Sequence, residues 1–258
     1  MHALLDHRAA VQSSAAVLSR LRDASPRVHC ITNTVAQNFT ANVLLAVGAQ
    51  PSMTVSPEEV AAFAASADAV LINLGTFGRE RAGSIGLAVT AAVTAGRPWA
   101  LDPVLIDRSP FRANLARDLM GRGPAAMRLN AAEFEALAGV PATADRVTAF
   151  AAEHTMTVTL SGAVDLVADG RRCVTLTNGH PLMAAITAMG CAASALVAAC
   201  LAVEADRWQA SLAAMTIFGI AGEQAGERSQ GPGSFAVNFI DALHQLDATA
   251  LIDRARVS

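Results

Sequence analysis

Apolar positions recur at helical spacing over 9–24 (Ala9, Val11, Ala16, Val17, Leu21), stop before Pro26 and give way to the short strand pattern Val28-His29-Cys30-Ile31. The same change of period repeats along the chain. Thr32, Asn33 and Thr34 offer side-chain oxygens to cap a helix running through 42–47, which Gly48 stops before a turn and short strand over 48–53. Ser56-Pro57-Glu58-Glu59 predicts a helix start, with proline at the first helical position and acids in the first turn. Ala69-Val70-Leu71-Ile72-Asn73-Leu74-Gly75 predicts a buried strand closed by glycine, 83–95 the helix after it, and 98–104 a strand ending near Asp102. Strands alternating with helices imply a mostly parallel sheet in an α/β fold. Its ligands gather at the carboxyl ends of the strands, where Asn33, Asn73 and Asp102 fall.

Past a Gly/Pro-rich link at 121–124, Asn130 opens a helix with Glu133 three residues on, a reciprocal capping pair that accounts for both residues structurally. A β-branched strand at 157–162 precedes a hairpin of 164–167 and 173–176 joined through Asp169-Gly170. The run 181–203 carries no charge, and at Gly190-Cys191 a loop becomes an alanine-rich helix. Pro181, Thr187 and Gly190 interrupt it and alanine is only weakly apolar, so it predicts a buried core helix rather than a membrane span. A long helix over 208–225, a rigid turn at 231–235 and a last helix over 236–246 follow. With no repeat, low-complexity tract or linker, one domain over 1–258 is the simplest count.

Composition narrows the function. At 53% hydrophobic and 16% charged, 258 residues can bury a sizeable core. A net charge of -3, a pI near 6.1 and no cluster of basic residues leave no electrostatic footprint for DNA or RNA. Cys30, Cys173, Cys191 and Cys200 lack zinc or redox spacing, and Asp6 and Arg8 fall where a signal peptide needs an apolar core. Free thiols in a reducing cytoplasm are therefore expected.

Two stretches offer chemistry. The stretch 31–57 has no ionisable Asp, Glu, Lys, Arg or His, yet is dense in Asn and Thr, a surface suited to a neutral, partly polar small molecule. The helix opening at Gly190-Cys191 points unpaired N–H groups and a partial positive charge at whatever precedes it, a seat for phosphate oxygens. A thiol there is expected to have its thiolate stabilised and to accept a proton from a hydroxyl, whereas plain packing would also explain Cys191, as it does Cys200. Neither a Gly-x-x-x-x-Gly-Lys-[Ser/Thr] loop nor a Gly-x-Gly-x-x-Gly fingerprint is present, so a nucleotide would be held by helix ends and strand-end loops.

Taken together, HCITN at 29–33, NFTANVLLAVGAQPSM at 38–53, INLGT at 72–76, LDPV at 101–104, NAAEF at 130–134, LSGAVDLVADG at 160–170, NGHPLMAAIT at 178–187, GC at 190–191 and GPGSF at 231–235 run in family order over nearly the whole chain. The chain resembles the hydroxyethylthiazole kinases of thiamine salvage. The resemblance implies a ribokinase-like three-layer α/β/α fold and ATP-dependent phosphorylation of 4-methyl-5-(2-hydroxyethyl)thiazole or a close analogue. It implies Cys191 as the catalytic residue beside the acceptor hydroxyl, and Asn33, Asn38, Gly190 and Met53 on the substrate side, with Met53 closing over the thiazole of a neighbouring subunit. Arg112 and Ser161 are implied near the nucleotide, and Glu133 and Asp102 near Mg2+, held largely through water and phosphate. The family is trimeric, with sites at subunit interfaces.

Two departures from the family pattern stand out. Its Gly-Thr-Gly-Cys is Ala188-Met189-Gly190-Cys191 here, and its Asp-Pro-Val-Gly-Ala-Gly is Asp102-Pro103-Val104-Leu105-Ile106-Asp107. Glycine in such loops permits positive φ and close approach to phosphate, so these changes bear on phosphate affinity, turnover and preferred nucleotide. A kinase for another alcohol, such as a hydroxymethylpyrimidine, and a catalytically impaired thiazole-binding protein are the competing readings.

Overall fold

The alternating periods are realised as strands β1 (Arg27–Ile31), β2 (Gln50–Ser52), β3 (Ala69–Asn73), β4 (Trp99–Asp102), β5 (Ala126–Asn130), β6 (Thr157–Ser161), β7 (Asp165–Ala168) and β8 (Cys173–Leu176). In the computed structural model, which describes residues 6–258, they form one sheet in the order β2-β1-β3-β4-β5-β6-β7-β8. Pairings from β2 through β6 are parallel, and β6-β7-β8 is antiparallel, as the Asp169-Gly170 hairpin predicts. The chain leaves β1 for β2 on one side and returns to β3 on the other. That reversal is a topological switch point, where open α/β sheets hold ligands above the carboxyl ends of their strands.

Helices cover both faces. On one lie α1 (His7–Ala24), α2 (Gln37–Ala46), α8 (Met189–Leu201), α9 (Arg207–Arg228), α10 (Pro232–Gln245) and α11 (Ala248–Arg254). On the other lie α3 (Val60–Ser66), α4 (Arg79–Thr94), α5 (Pro110–Met120), α6 (Ala131–Ala138) and α7 (Ala144–Glu153). Burial on both sides explains why β3 reads as an unbroken apolar run with every residue covered. It also explains α8, whose residues from Cys191 to Leu201 are buried all round because it is wedged between α2, α9 and the sheet. Among the described residues no helix is long and apolar enough to cross a membrane, and all four cysteines are free.

Several local expectations are corrected. Residues 57–59 form a turn, with Glu59 at φ -127°, and α3 begins only at Val60; Thr54 and Ser56 hydroxyls engage Glu59 and Glu58, so the acids serve the turn. Asn33 closes a turn by accepting from Ala36 N at 3.0 Å, and α2 then starts at Gln37 with no side-chain cap. The turn at 231–235 is already helix from Pro232 onward. The helix over 236–246 is not the last, since α11 follows it with Asp247 as its cap; strand β5 and helices α5 and α7 were also not anticipated, although Ser109-Pro110 and Thr143 supply the caps of the two helices.

Candidate active site

The carboxyl ends of β1, β3, β4, β5 and β6 face the start of α8 across a cavity of about 1140 Å³. Asn33, Gly190, Cys191, Arg128, Glu133 and Ser161 all line it. Ala188 is the N-cap of α8, in the left-handed region at φ 71°, and no side chain caps this end, so the first-turn N–H groups are open to an anion from the cavity.

On the β1–β3 side the groups are neutral. The Asn33 amide Nδ2 donates to Cys191 Sγ at 3.1 Å, and Asn73 Nδ2 approaches the same sulfur at 3.3 Å and Asp102 Oδ2 at 2.7 Å. Gly75 N in turn donates to Asn73 Oδ1 at 3.0 Å and holds that amide in place. Gly75 has no room for a side chain, since a Cβ there would meet Asn33 Cβ at 2.7 Å. The expected thiolate is not favoured here. Burial pushes the Cys191 thiol up to about 12 and the nearby Asp102 charge adds to this, outweighing the two amides and Arg128. The helix-end effect thus loses to desolvation, and Cys191, 8% exposed, stands as a protonated thiol at the cavity wall.

On the β5–β6 side the groups are charged. Arg128, from the middle of β5, donates to the Ser161 hydroxyl and lies directly against Gly190, where a Cβ would meet its Nη1 at 2.5 Å. Only glycine lets the guanidinium approach the helix end so closely. Arg128 also stands near two carboxyls, one buried and one half-buried: burial raises Asp102 to about 6, with Arg128 opposing and Glu133 adding, and partial burial raises Asp165 to about 6, with the Gly162 N–H and Arg128 opposing. Asp165 lines the cavity, whereas Asp102, only 1% exposed, sits behind Asn73.

Glu133 completes the predicted capping box, accepting from Asn130 N at 2.9 Å, and its other oxygen accepts from Leu105 N at 2.7 Å. It therefore ties α6 to the loop after β4. Leu105 is left-handed at φ 58°. Both positions where the family pattern has a first-loop glycine, 105 and 188, thus carry a side chain on a backbone that costs about 1–2 kcal/mol for non-glycine residues.

Among the described residues no group of three or more His, Cys, Asp and Glu stands ready to hold a metal on its own. Asp102 Oδ1 is nevertheless buried without a hydrogen-bond partner. Of the two acids expected near magnesium, Glu133 lines the cavity and Asp102 stands just behind Asn73, a set suited to magnesium held mostly by phosphates and water rather than by a protein cage.

The remaining sequence-predicted residues divide. Arg112 lines the cavity with its Nη1 donating to Val104 O at 3.4 Å. Met53 is half-buried against the α2 side of the core, and Asn38 is exposed on α2, accepting from Asn42 at 3.2 Å; neither lines the cavity of its own chain. Sequence reasoning missed Arg128 and placed Asn73 at a ligand-gathering strand end without foreseeing its contact with Cys191. The signal for Arg128 was a lone charge inside the otherwise apolar strand AMRLN.

Comparison with known proteins agrees with this geometry. Residues 18–249 match the hydroxyethylthiazole kinase family. The chain is 45% identical over 255 residues to the hydroxyethylthiazole kinase of Pectobacterium carotovorum subsp. carotovorum (strain PC1), covering 94% of this chain and 96% of that one. It superimposes with a TM-score of 0.91, at 36% identity, on the hydroxyethylthiazole kinase protein from Pyrococcus horikoshii OT3, covering 95% of this chain and 98% of that one. A ribokinase-like superfamily protein from Enterococcus faecalis V583 shares the fold, with a TM-score of 0.69 at 12% identity over 93% of this chain and 95% of that one.

Proposed function

The chain belongs to the hydroxyethylthiazole kinase family, and on that premise we propose how its site transfers a phosphoryl group from ATP to the hydroxyethyl group of a thiazole alcohol. It is a phosphotransferase of thiamine salvage with an alcohol as acceptor and a ribokinase-like α/β/α fold. The observation that carries the mechanism is the open end of α8, with the Arg128 guanidinium on one flank and the Asn33–Cys191 pair on the other.

The transferred phosphoryl group seats on the first-turn N–H groups of α8 near Gly190, and Arg128 balances its charge. Ser161 and Arg112 face the nucleotide side. The alcohol lies against Asn33 and Cys191, in line with the bond that breaks. Because the Cys191 thiol is held protonated, its role is to orient the hydroxyl rather than to remove its proton beforehand; a loose transition state asks little of a base. Asp102 acts through Asn73, which it anchors, and Glu133 holds the 104–108 loop. Magnesium carried on the nucleotide would be held by Asp102 and Glu133 largely through water; when bound, it neutralises charge shared by the phosphates.

We further place the enzyme in the cytoplasm as one domain that assembles into a homotrimer, with Met53 and Asn38 completing the thiazole pocket of an adjacent copy. In support, both lie outside their own cavity, and Val35 and Leu45 of the same region are 67% and 58% exposed. Light scattering reads the assembly. A coupled assay offering ATP, GTP or CTP with the thiazole alcohol, a hydroxymethylpyrimidine or no acceptor tests the activity. Thiazole-dependent turnover is expected, whereas turnover only with the pyrimidine, or thiazole binding without product, would overturn this reading.

A further inference from the structure

One wall of the cavity is the loop 177–183, and its opposite side is seated on α9. Three glycines of α9 make the seat: a Cβ at Gly219 would meet Asn178 Cβ at 2.8 Å, one at Gly222 would meet Met183 Sδ at 2.5 Å, and one at Gly226 would run into the His180 ring. The loop is also clamped. Glu223, between these glycines, accepts from Asn178 Nδ2 at 3.0 Å and from Gly179 N at 3.2 Å. Its charge is balanced by Arg256, whose Nη2 reaches both Glu223 and, at 2.9 Å, Thr177 O.

Residues 255–258 are held there by their own backbone. Arg256 N donates to Asn178 Oδ1 at 2.7 Å, Val257 bridges Leu176 in antiparallel fashion, and Thr175 and Ser258 exchange N–H bonds at 2.7 and 3.0 Å. These residues lie past the stretch that matches the family, which ends at 249. Asn178, Gly179, His180 and Met183 face the cavity while being gripped from behind, so a shift of the clamp moves the wall.

We infer that residues 255–258, through Arg256 and Glu223, form a latch that fixes this wall and so sets nucleotide affinity, Arg256 being a positioning residue. The choice of nucleotide over alcohol follows from sheet order and rests on the functional reading above. In-line transfer puts donor and acceptor on opposite sides of the moving group. The acceptor groups Asn33 and Cys191 lie toward β1 and β3, while the latched loop follows β8 at the far edge, on the same side as Ser161.

The test uses the full chain and compares wild type, Arg256→Ala and Arg256→Lys by calorimetric ATP binding, by KM and kcat in the coupled assay, and by thermal melting. Arg256→Ala is expected to weaken ATP binding and raise its KM roughly fivefold, with kcat and the thiazole KM within about twofold, and lysine, which keeps the charge beside Glu223 but not the fork to Thr177, to restore part of the loss. Gly222→Ala, which drives Met183 from its seat, is expected to shift the same parameter. Unchanged ATP affinity in Arg256→Ala, equal changes in both KM values, or a lowered melting temperature with no nucleotide effect would overturn the latch. If wild type bound ATP but phosphorylated no alcohol, the functional reading would fail, while the ATP affinities of the variants would still decide the latch.

Discussion

The two sides of the α8 opening are built from different materials. Toward β1 and β3 stand two amides and a protonated thiol, all neutral: Asn33 from a stretch of chain without ionisable groups, Asn73 from the end of β3 and Cys191 from the helix end. Toward β5 and β6 stand Arg128, Asp165 and Glu133, with the guanidinium pressed against Gly190. Neutral dipoles can be buried at modest cost and left facing a neutral alcohol, whereas charges need partners or a charged ligand. Asp102 stands on the border between the two and carries the cost of being there, with its carboxyl raised to about 6.

The largest effect is expected where the charged side is removed. Arg128→Ala should lower kcat by about 10²–10³ with the thiazole KM little changed, the size seen when one stabilising donor to a developing charge is lost. A proportionate loss in thiazole affinity would break the division of the site into two sides.

Asp102 tests the border. Its folded value lies above the ordinary 3.8, so the native state binds the proton more tightly, and stability from this group is present at low pH and lost as pH rises from about 4 to about 6. In chelator, Asp102→Asn should therefore gain on the order of 3 kcal/mol over wild type at pH 8, and much less at pH 4, while losing turnover. Denaturant melts at both pH values measure this; a variant less stable than wild type at pH 8 would contradict it.

On the neutral side, Cys191→Ala should lower kcat roughly tenfold, far more than it weakens thiazole binding, because orientation rather than proton removal is lost. The kcat profile of wild type should show no thiol ionisation between pH 6 and about 9. Equal turnover in wild type and variant would remove Cys191 from the mechanism. The smallest expected effect is at the junction: Ala188→Gly or Leu105→Gly should each relieve backbone strain and stabilise by about 1 kcal/mol, read from denaturant midpoints.

Much of this was legible. Period changes located β1, β3, β4, β6 and the β7-β8 hairpin, and the capping pair at Asn130 and Glu133 formed as predicted. Ser56-Pro57 misled because its hydroxyl and acids made a better turn than a helix; α5 escaped because its cap stood beside a weak apolar stripe, whereas α7 carried a readable one in Val147, Phe150 and Ala151 that went unused. Arg112 drew attention through the family pattern, but Arg128 is the cation that touches the helix end.

By itself the sequence determined the alternation of strands and helices, the charge-free surface over 31–57 and the place where an uncapped, alanine-rich helix opens, because each follows from local periodicity and composition. Tertiary structure alone decided which side chains meet. Asn33 and Cys191 are 158 positions apart yet share a hydrogen bond, and Arg128 reaches Gly190 from a different layer. Those meetings also set the protonation of the site. A helix end favours a thiolate, but how deeply Cys191 is buried, and how near Asp102 stands, exist only once the layers have closed over the sheet.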